Sequence, residues 1–401
     1  MGSGEWLLLR HIGRLFTSGP AGVIEDAAVA ARHGRITYAG TETDLPPGLV
    51  GDAEEIDAED ALVTAGLVDA HTHPVYGGDR FAEIARRSAG ATYAELAAEG
   101  GGIASSVSST RATPAGDLEA GLRVRLLTML GAGTTTLEAK SGYHLERKGE
   151  LADVEMLARL GSEAGLPSIE VTFLAAHAVP PEHISDPDGY LEAVCSWCRA
   201  ARGAGARHID VFCDEGYFSV AQSRRLLMAG TAAGLIGRIH ADELALTGGA
   251  RLAAELSCAS ADHLLRIGRE EAEALAAAGV VATLCPVTAL SMGVPPPLDE
   301  LGRAGVPVAL GSDHNPGTCG TTSMPLVIAL AVAELGMPVA AALVAATSGS
   351  ARSLRLGADR GTVAPGMRAD LVVWDAPHEG AFAWSYGLEP RRVLLDGAPV
   401  S

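Results

Sequence analysis

Residues 65–80 read AGLVDAHTHPVYGGDR, an apolar run that ends abruptly in two histidines one residue apart. The run from Leu62 to Ala70 is short and rich in Val and Leu, the pattern of a buried strand. Side chains on a strand alternate between faces, so residues i and i+2 point the same way. His71 and His73 therefore project together from the carboxyl end of the run, where two imidazoles can reach one metal ion. A lone His-x-His is common by chance, so the reading depends on the rest of the chain.

Outward from this stretch, short β-type runs alternate with helical patterns. After LVTAGLVDAHTH come TTTLEAKSGY, SIEVTFLAAHA, HIDVFCDEG, GRIHADE, SADHLL, VVATLCPV and VPVALGSDHNPG. Ala- and Leu-rich segments with helical spacing separate them, among them DLEAGLRVRLLTMLGAG and GREEAEALAAAG, and several end at Gly as helix C-termini do. Eight strands alternating with helices predict an α/β fold, a (β/α)8 TIM barrel, over residues 62–357. A doubly wound open sheet fits the alternation nearly as well, but no glycine-rich phosphate fingerprint follows the first strand. The two ends differ. Residues 1–61, with GRITYAG and LPPGL, and residues 358–401, with GTVAPGMRADLVVWD and RRVLLDGAPV, predict one small β-sandwich built from both chain ends.

The chain has 401 residues, 48% hydrophobic and 20% charged, enough for a large core. A net charge of −19 argues against a nucleic-acid binder or a polybasic membrane-surface protein. The start, MGSGEWLLLRHIG, has too short an apolar core for a signal peptide, and the most apolar stretch is interrupted by Glu334, Gly336 and Pro338. Six cysteines in a chain this long do not make a disulfide framework, which points to the reducing cytoplasm. Cys195 and Cys198 form a C-x-x-C, but the surrounding YLEAVCSWCRAA reads as one amphipathic helix.

Chemically capable residues fall at the carboxyl ends of the expected strands, where barrel active sites lie: His71, His73, His177, Glu215, His240, His263 and Asp313. His71, His73, His240 and Asp313 supply three imidazoles and a carboxylate, a donor set suited to zinc or iron with a position left for water. Lys140 is not where a carboxylated lysine bridging two metals is expected, so one metal is preferred to two.

The ordered motifs HTHPVYGGDR, GGGI, EAKSGY, TFLAAHA, DVFCDEG, HADE, DHL and GSDHNPGT resemble the mononuclear branch of the amidohydrolase superfamily, and within it the imidazolonepropionase family. The resemblance runs nearly the whole length. It implies metal-dependent hydrolysis of the cyclic amide of 4-imidazolone-5-propanoate to N-formimidoyl-L-glutamate in histidine degradation. The implied assembly is a homodimer with a small-molecule substrate and neither nucleic acid nor membrane as partner. Asp313 then serves as ligand and proton acceptor, and His263 holds the water or stabilises an oxyanion. Glu243 reaches the ring NH, and Arg80 receives the propionate through its planar fork. By the same resemblance Tyr143 and His177 line the pocket, while Asn315, Gly317 and Thr318 contact substrate or product. His314 and Cys195/Cys198 match no motif of the family.

Each assignment has a plainer alternative. Arg80 can pair with Asp79 or Glu83, Tyr143 can be a core aromatic, His177 and His263 can be structural, Glu243 can cap a helix, and Gly317 can serve a turn. Glu215 is read as a supporting residue, and His11, His33, His144, His183, His208 and His378 as surface or loop residues. The rival functions are another amidohydrolase, such as a purine- or pyrimidine-type deaminase, a barrel that has lost its chemistry, and a metal store.

Overall fold

The computed structural model describes residues 6–49, 51, 53–90 and 101–400. Five strands open the chain: β1 (Trp6–Phe16), β2 (Val23–Arg32), β3 (Arg35–Thr41), β4 (Glu54–Asp57) and β5 (Leu62–Ala65). The next eight are β6 (Leu67–Asp69), β7 (Thr134–Lys140), β8 (Ser168–Ala176), β9 (His208–Cys213), β10 (Ile236–Ala241), β11 (Ser260–His263), β12 (Val281–Leu284) and β13 (Val308–Leu310). Three more follow: β14 (Leu371–Trp374), β15 (Pro390–Leu395) and β16 (Ala398–Pro399).

Strands β6 to β13 form one all-parallel sheet in sequential order, the arrangement of a TIM barrel. Its two ends meet just beyond the strands. Ala70 N–H donates to Leu310 O at 3.2 Å, Asp313 N–H to His71 O at 2.9 Å, and His73 N–H to His314 O at 2.8 Å. The bonds that close the barrel thus set two histidines and an aspartate of the expected site side by side. A doubly wound open sheet has no such seam.

The expected first strand is in fact two. Leu62–Ala65 pairs with β1 and β14 in the sheet of the chain ends, and only Leu67–Asp69 enters the barrel. Gly66 sits at the break because a Cβ there would lie 2.1 Å from Thr135 Oγ1. The run lacks polar alternation because both of its faces are covered: Leu62 and Leu67 pack into the barrel core, Val63 and Ala65 into that of the end sheet. β14 divides its side chains the same way, with Leu371 and Val373 on one side and Val372 and Trp374 on the other.

The end sheet runs β16-β15-β14-β5-β1-β2-β3, with β4 also paired to β1. Leu9 and Ile12 of β1, Ile36 of β3 and Leu394 of β15 share one core, so the sheet curls until its flanks face each other. Ile36 N–H bonds Met367 O across that closure. The GTVAPGMRAD part of the expected C-terminal strand is turns and irregular chain, and β14 begins only at Leu371. Among the described residues no helix is long and apolar enough to cross a membrane. Gly100 of the GGGI motif lies outside the described residues.

Candidate active site

His71 and His73 follow β6, and their rings point into the barrel mouth as the two-residue spacing requires. His71 Nε2 lies 3.1 Å from His73 Nε2, and His73 Nε2 lies 3.3 Å from His240 Nε2 at the end of β10. Asp313 Oδ1 stands 3.6 Å from His71 Nε2 and 3.5 Å from His73 Nε2. All four side chains are buried. His71 Nδ1 is 2.7 Å from Asp262 Oδ2, so Nδ1 carries the proton and Nε2 presents a lone pair. Asp210 Oδ2 lies 3.0 Å from His240 Nδ1, a charge contact rather than an aligned hydrogen bond, and favours the same tautomer. Burial holds His71 and His73 well below the usual imidazole pKa, helped by Lys140 for His71 and by His177 for His73. Three imidazoles therefore aim their Nε2 atoms at one point. A proton on His73 Nε2 can point at only one neighbour, whereas a cation satisfies all three. The residues fit a metal ion. Asp313, pushed up to about 6 by burial against the opposing hydrogen bond from Thr288, completes the set.

Beneath the ligands lies a layer of buried charge that the sequence reading missed. Lys140 Nζ lies 2.6 Å from Glu138 Oε1 and 2.8 Å from Asp210 Oδ2, an ordinary ammonium between two carboxylates. Arg238 Nη2 contacts Asp262 Oδ2 at 3.3 Å and donates to Ala70 O at 2.8 Å. Burial disfavours charge on both aspartates. Asp210 is nonetheless held below the usual carboxylate range by His240 and Lys140, and Asp262 by Arg238 and Lys140. The legible signal was a polar residue inside each apolar run: EAK, HID, GRIH and SADH.

Above the ligands opens a cavity of about 900 Å³. It is lined by His73, His240 and Asp313 together with Arg80, Tyr143, His177, Glu243 and His263. Asn315, Gly317 and Thr318 form part of the same wall. His177 stacks on His73 with centroids 4.9 Å apart and planes at 22°, and Tyr143 stands 5.2 Å from His177. Its Nδ1 faces Gly142 O at 3.1 Å, so the His177 proton sits there and Nε2 is an acceptor. Burial, with His240 nearby, pushes His263 down to about 3, and neither of its ring nitrogens has a hydrogen-bond partner among the described residues. Glu243 Oε1 approaches His263 Nδ1 to 3.8 Å, too far for a hydrogen bond. Burial, then the charges of Asp313 and Asp214, hold the Glu243 carboxyl well above its usual pKa.

Two aspartates shape the loop that carries Glu243. Asp214 accepts the backbone N–H groups of Glu243, Leu244 and Ala245, and Asp242, at a positive φ of 52°, accepts those of Thr247, Gly248, Gly249 and Ala250. Glu215, expected as the supporting residue, is exposed; its neighbour Asp214 does that work. After β13, Asn315 donates to Asp313 O at 2.6 Å and accepts from the N–H groups of Gly317 and Thr318. His314, which matched no motif, holds this loop to the one after β6: its Nδ1 faces Thr321 O at 3.0 Å, and its Nε2 faces Tyr76 OH at 3.2 Å.

Both readings of Arg80 are realised. Its Nε and Nη2 engage Glu83 Oε2 at 2.9 and 2.8 Å, and the guanidinium still lines the cavity. Gly317 leaves the space for it, since a Cβ there would fall 2.0 Å from Arg80 Nη1. Of the histidines expected at the surface, His208 is the exception. It is buried at the start of β9 because that strand is covered on both sides. Cys195 and Cys198 sit on the helix Pro187–Ala204, as the amphipathic pattern requires.

Residues 191–400 match the model of the Amidohydrolase family. The imidazolonepropionase of Anaeromyxobacter dehalogenans (strain 2CP-1 / ATCC BAA-258) is 42% identical over 380 residues, 94% of this chain and 90% of that one. That of Salinispora arenicola (strain CNS-205) is 42% identical over 402 residues and covers 98% of each. The chain belongs to the imidazolonepropionase family. Solved structures similar to this fold include 5-methylcytosine deaminase from Klebsiella pneumoniae (TM-score 0.73, 18% identity, 98% of both chains). Another is an adenosine deaminase from Xanthomonas campestris (TM-score 0.69, 20% identity, 98% of this chain and 92% of that one). At those identities only the fold is shared.

Membership of the amidohydrolases implies a metal ion, and His71, His73 and His240 form a group able to hold one. In this imidazolonepropionase-family chain the carboxylates behind these histidines have a measurable consequence. Asp262→Asn removes the charge that fixes the His71 tautomer, and an outer partner of this kind is worth about 10–100-fold in metal affinity. Competition against a chelator is expected to show that loss, with circular dichroism confirming the fold. Unchanged affinity would reduce Asp262 to a partner for Arg238.

Proposed function

We propose that this chain hydrolyses the ring amide of 4-imidazolone-5-propanoate to N-formimidoyl-L-glutamate, as a hydrolase of cyclic-amide C–N bonds in histidine degradation. The observation that carries it is 42% identity to imidazolonepropionases over 94% of the chain. The convergent imidazoles and Arg80 opening on one cavity agree with it. The deaminase alternative has no comparable support, because the deaminases found share the fold alone.

One zinc or iron ion per chain, held by His71, His73, His240 and Asp313, would supply Lewis acidity, easing ionisation of a water and polarising the ring carbonyl. The remaining work falls to the protein. Thr288 donates its hydroxyl hydrogen to Asp313 Oδ2 at 2.6 Å, which leaves Oδ1 toward the histidines. Asp313 takes the proton of the attacking water and returns it to the ring nitrogen as the C–N bond breaks, so one water is consumed and no other reagent is needed. His263, neutral and without a hydrogen-bond partner among the described residues, offers a ring N–H where the carbonyl oxygen gains charge. Glu243, neutral by burial, hydrogen-bonds the substrate ring. Tyr143 and His177 pack against that ring, and Asn315, Gly317 and Thr318 line the cavity from the loop after β13.

The propionate falls to Arg80, whose guanidinium Glu83 already orients. A charge-assisted contact of this kind is worth roughly 1.5–3 kcal/mol, about 10- to 150-fold in affinity. Arg80→Met is therefore expected to raise KM by that order with metal content intact, and Arg80→Lys to recover only part of the loss. An imidazolone lacking the propionate serves as control and responds little. Equal responses to both compounds would remove Arg80 as the anchor. The function itself is tested by offering fresh imidazolone propionate to the metal-loaded protein and following the ring absorbance; a chain that holds metal and leaves the absorbance unchanged refutes it. A cytoplasmic setting agrees with six free cysteines and no disulfide. The homodimer implied by the family resemblance is checked by light scattering.

A further inference from the structure

We infer that the mouth of the barrel holds a second, sulfur-containing ligand set, His71, His263 and Cys285, which captures a thiophilic cation such as Cd²⁺ or Cu⁺ in competition with the resident metal. Cys285 directly follows β12, beside β11, whose last residue is His263, and its side chain is buried. One donor atom from each of the three lies within 4.8 Å of the other two. Bonds of ~2.0–2.1 Å to nitrogen and ~2.3 Å to sulfur put the donors of one tetrahedral ion roughly 3.3–3.6 Å apart, so the three side chains close on an ion by drawing together about an ångström.

The observation that points to a ligand is independent of the cysteine. His263 is 2% exposed, and both its ring nitrogens lack hydrogen-bond partners among the described residues. A buried imidazole with two unmet polar atoms costs stability unless something else meets them. Its backbone is also held at a positive φ of 72°, uncommon for histidine, so the ring's placement is imposed by the fold. The surroundings favour a cation. Asp262 Oδ2 lies 2.7 Å from His71 Nδ1 and Asp313 Oδ1 3.6 Å from His71 Nε2, so carboxylates adjoin the set. On capture the S–H proton leaves to solvent and the sulfur lone pair binds the ion, with no change of oxidation state. Thiolate sulfur beside imidazole selects soft ions over the harder ones that suit an Asp-containing set.

The two sets share His71, whose Nδ1 is committed to Asp262. One Nε2 lone pair serves one ion, so capture at Cys285 draws His71 away from His73, His240 and Asp313. The inference rests on the proposed ligand set above. Measuring the resident metal before any addition separates the two: if that set is wrong, the untreated protein has no stoichiometric metal, whatever Cys285 does.

The test titrates the metal-loaded protein with Cd²⁺ while following the ultraviolet thiolate-to-cadmium band, the release of resident metal and turnover. One equivalent of Cd²⁺ per chain is expected to produce the band, release the resident ion and abolish activity together. Cys285→Ser and Cys285→Ala are expected to keep resident metal and basal turnover, to show no band, and to need roughly 10-fold or more Cd²⁺ for the same inhibition. The other five cysteines remain in both variants as an internal control. A band of full intensity in both variants would overturn the inference. So would inhibition of the unmodified protein without any band, since cadmium would then simply replace the resident ion.

Discussion

His240→Ala is expected to empty the metal site and reduce turnover below detection. His240 Nε2 is 3.3 Å from His73 Nε2, and no other described imidazole reaches the ligand cluster from β10. Removing it takes away one of the four donors that the proposed set holds around the ion. The loss should exceed the ~10–100-fold that follows removal of an outer partner. The fold should survive, because Asp210 keeps its 2.8 Å contact with Lys140 and is not left as an unpaired buried charge. Metal analysis of the purified variant, beside kcat for the unmodified protein, decides the matter. Full occupancy with full activity would sink the ligand assignment.

Glu243→Gln and His263→Ala are expected to divide the other way, with metal kept and kcat lost. Neither residue belongs to the proposed resident set, yet both face the cavity above it. A glutamine at 243 keeps the shape but replaces the carboxyl hydrogen bond to the substrate ring with that of an amide. In the proposed mechanism, alanine at 263 removes the donor to the developing oxyanion. Losses of roughly 10²-fold or more are ordinary for groups of this kind. Metal content per chain, measured on the samples used for kinetics, separates chemistry from support. Variants that kept near-normal kcat per bound metal while losing the metal would make both residues structural.

Site and scaffold differ in how readily the sequence discloses them. A strand covered on both faces must be apolar along its length, so a histidine or aspartate at its carboxyl end stands out. His71, His73, His177, His240, His263 and Asp313 were legible for that reason, and all six lie at the barrel mouth in the structure. The supporting charges were not. Asp262 meets His71 across 191 residues, and Lys140 meets Asp210 across 70. Periodicity reports which face a residue occupies, not which strand lies beside it. Arg80 was ambiguous because one guanidinium serves two surfaces, holding Glu83 along Nε and Nη2 while facing the cavity.

By itself, then, the sequence determined eight strands in order, alternating with helices, and a set of donors at their carboxyl ends, because local patterning encodes secondary structure and burial. Tertiary structure alone decided where the chain leaves one sheet for the other. Leu62–Ala65 and Leu67–Asp69 both begin Leu-Val and read as one run, and the close approach of Thr135 at Gly66 marks the break between them. It also decided that Lys140 is a buried counter-ion, that His208 is enclosed, and that His314 joins two loops. The closing seam between β6 and β13 is the clearest case. The Asp313 N–H to His71 O bond joins residues more than half the chain apart, and its formation sets Asp313 beside His71 and His73.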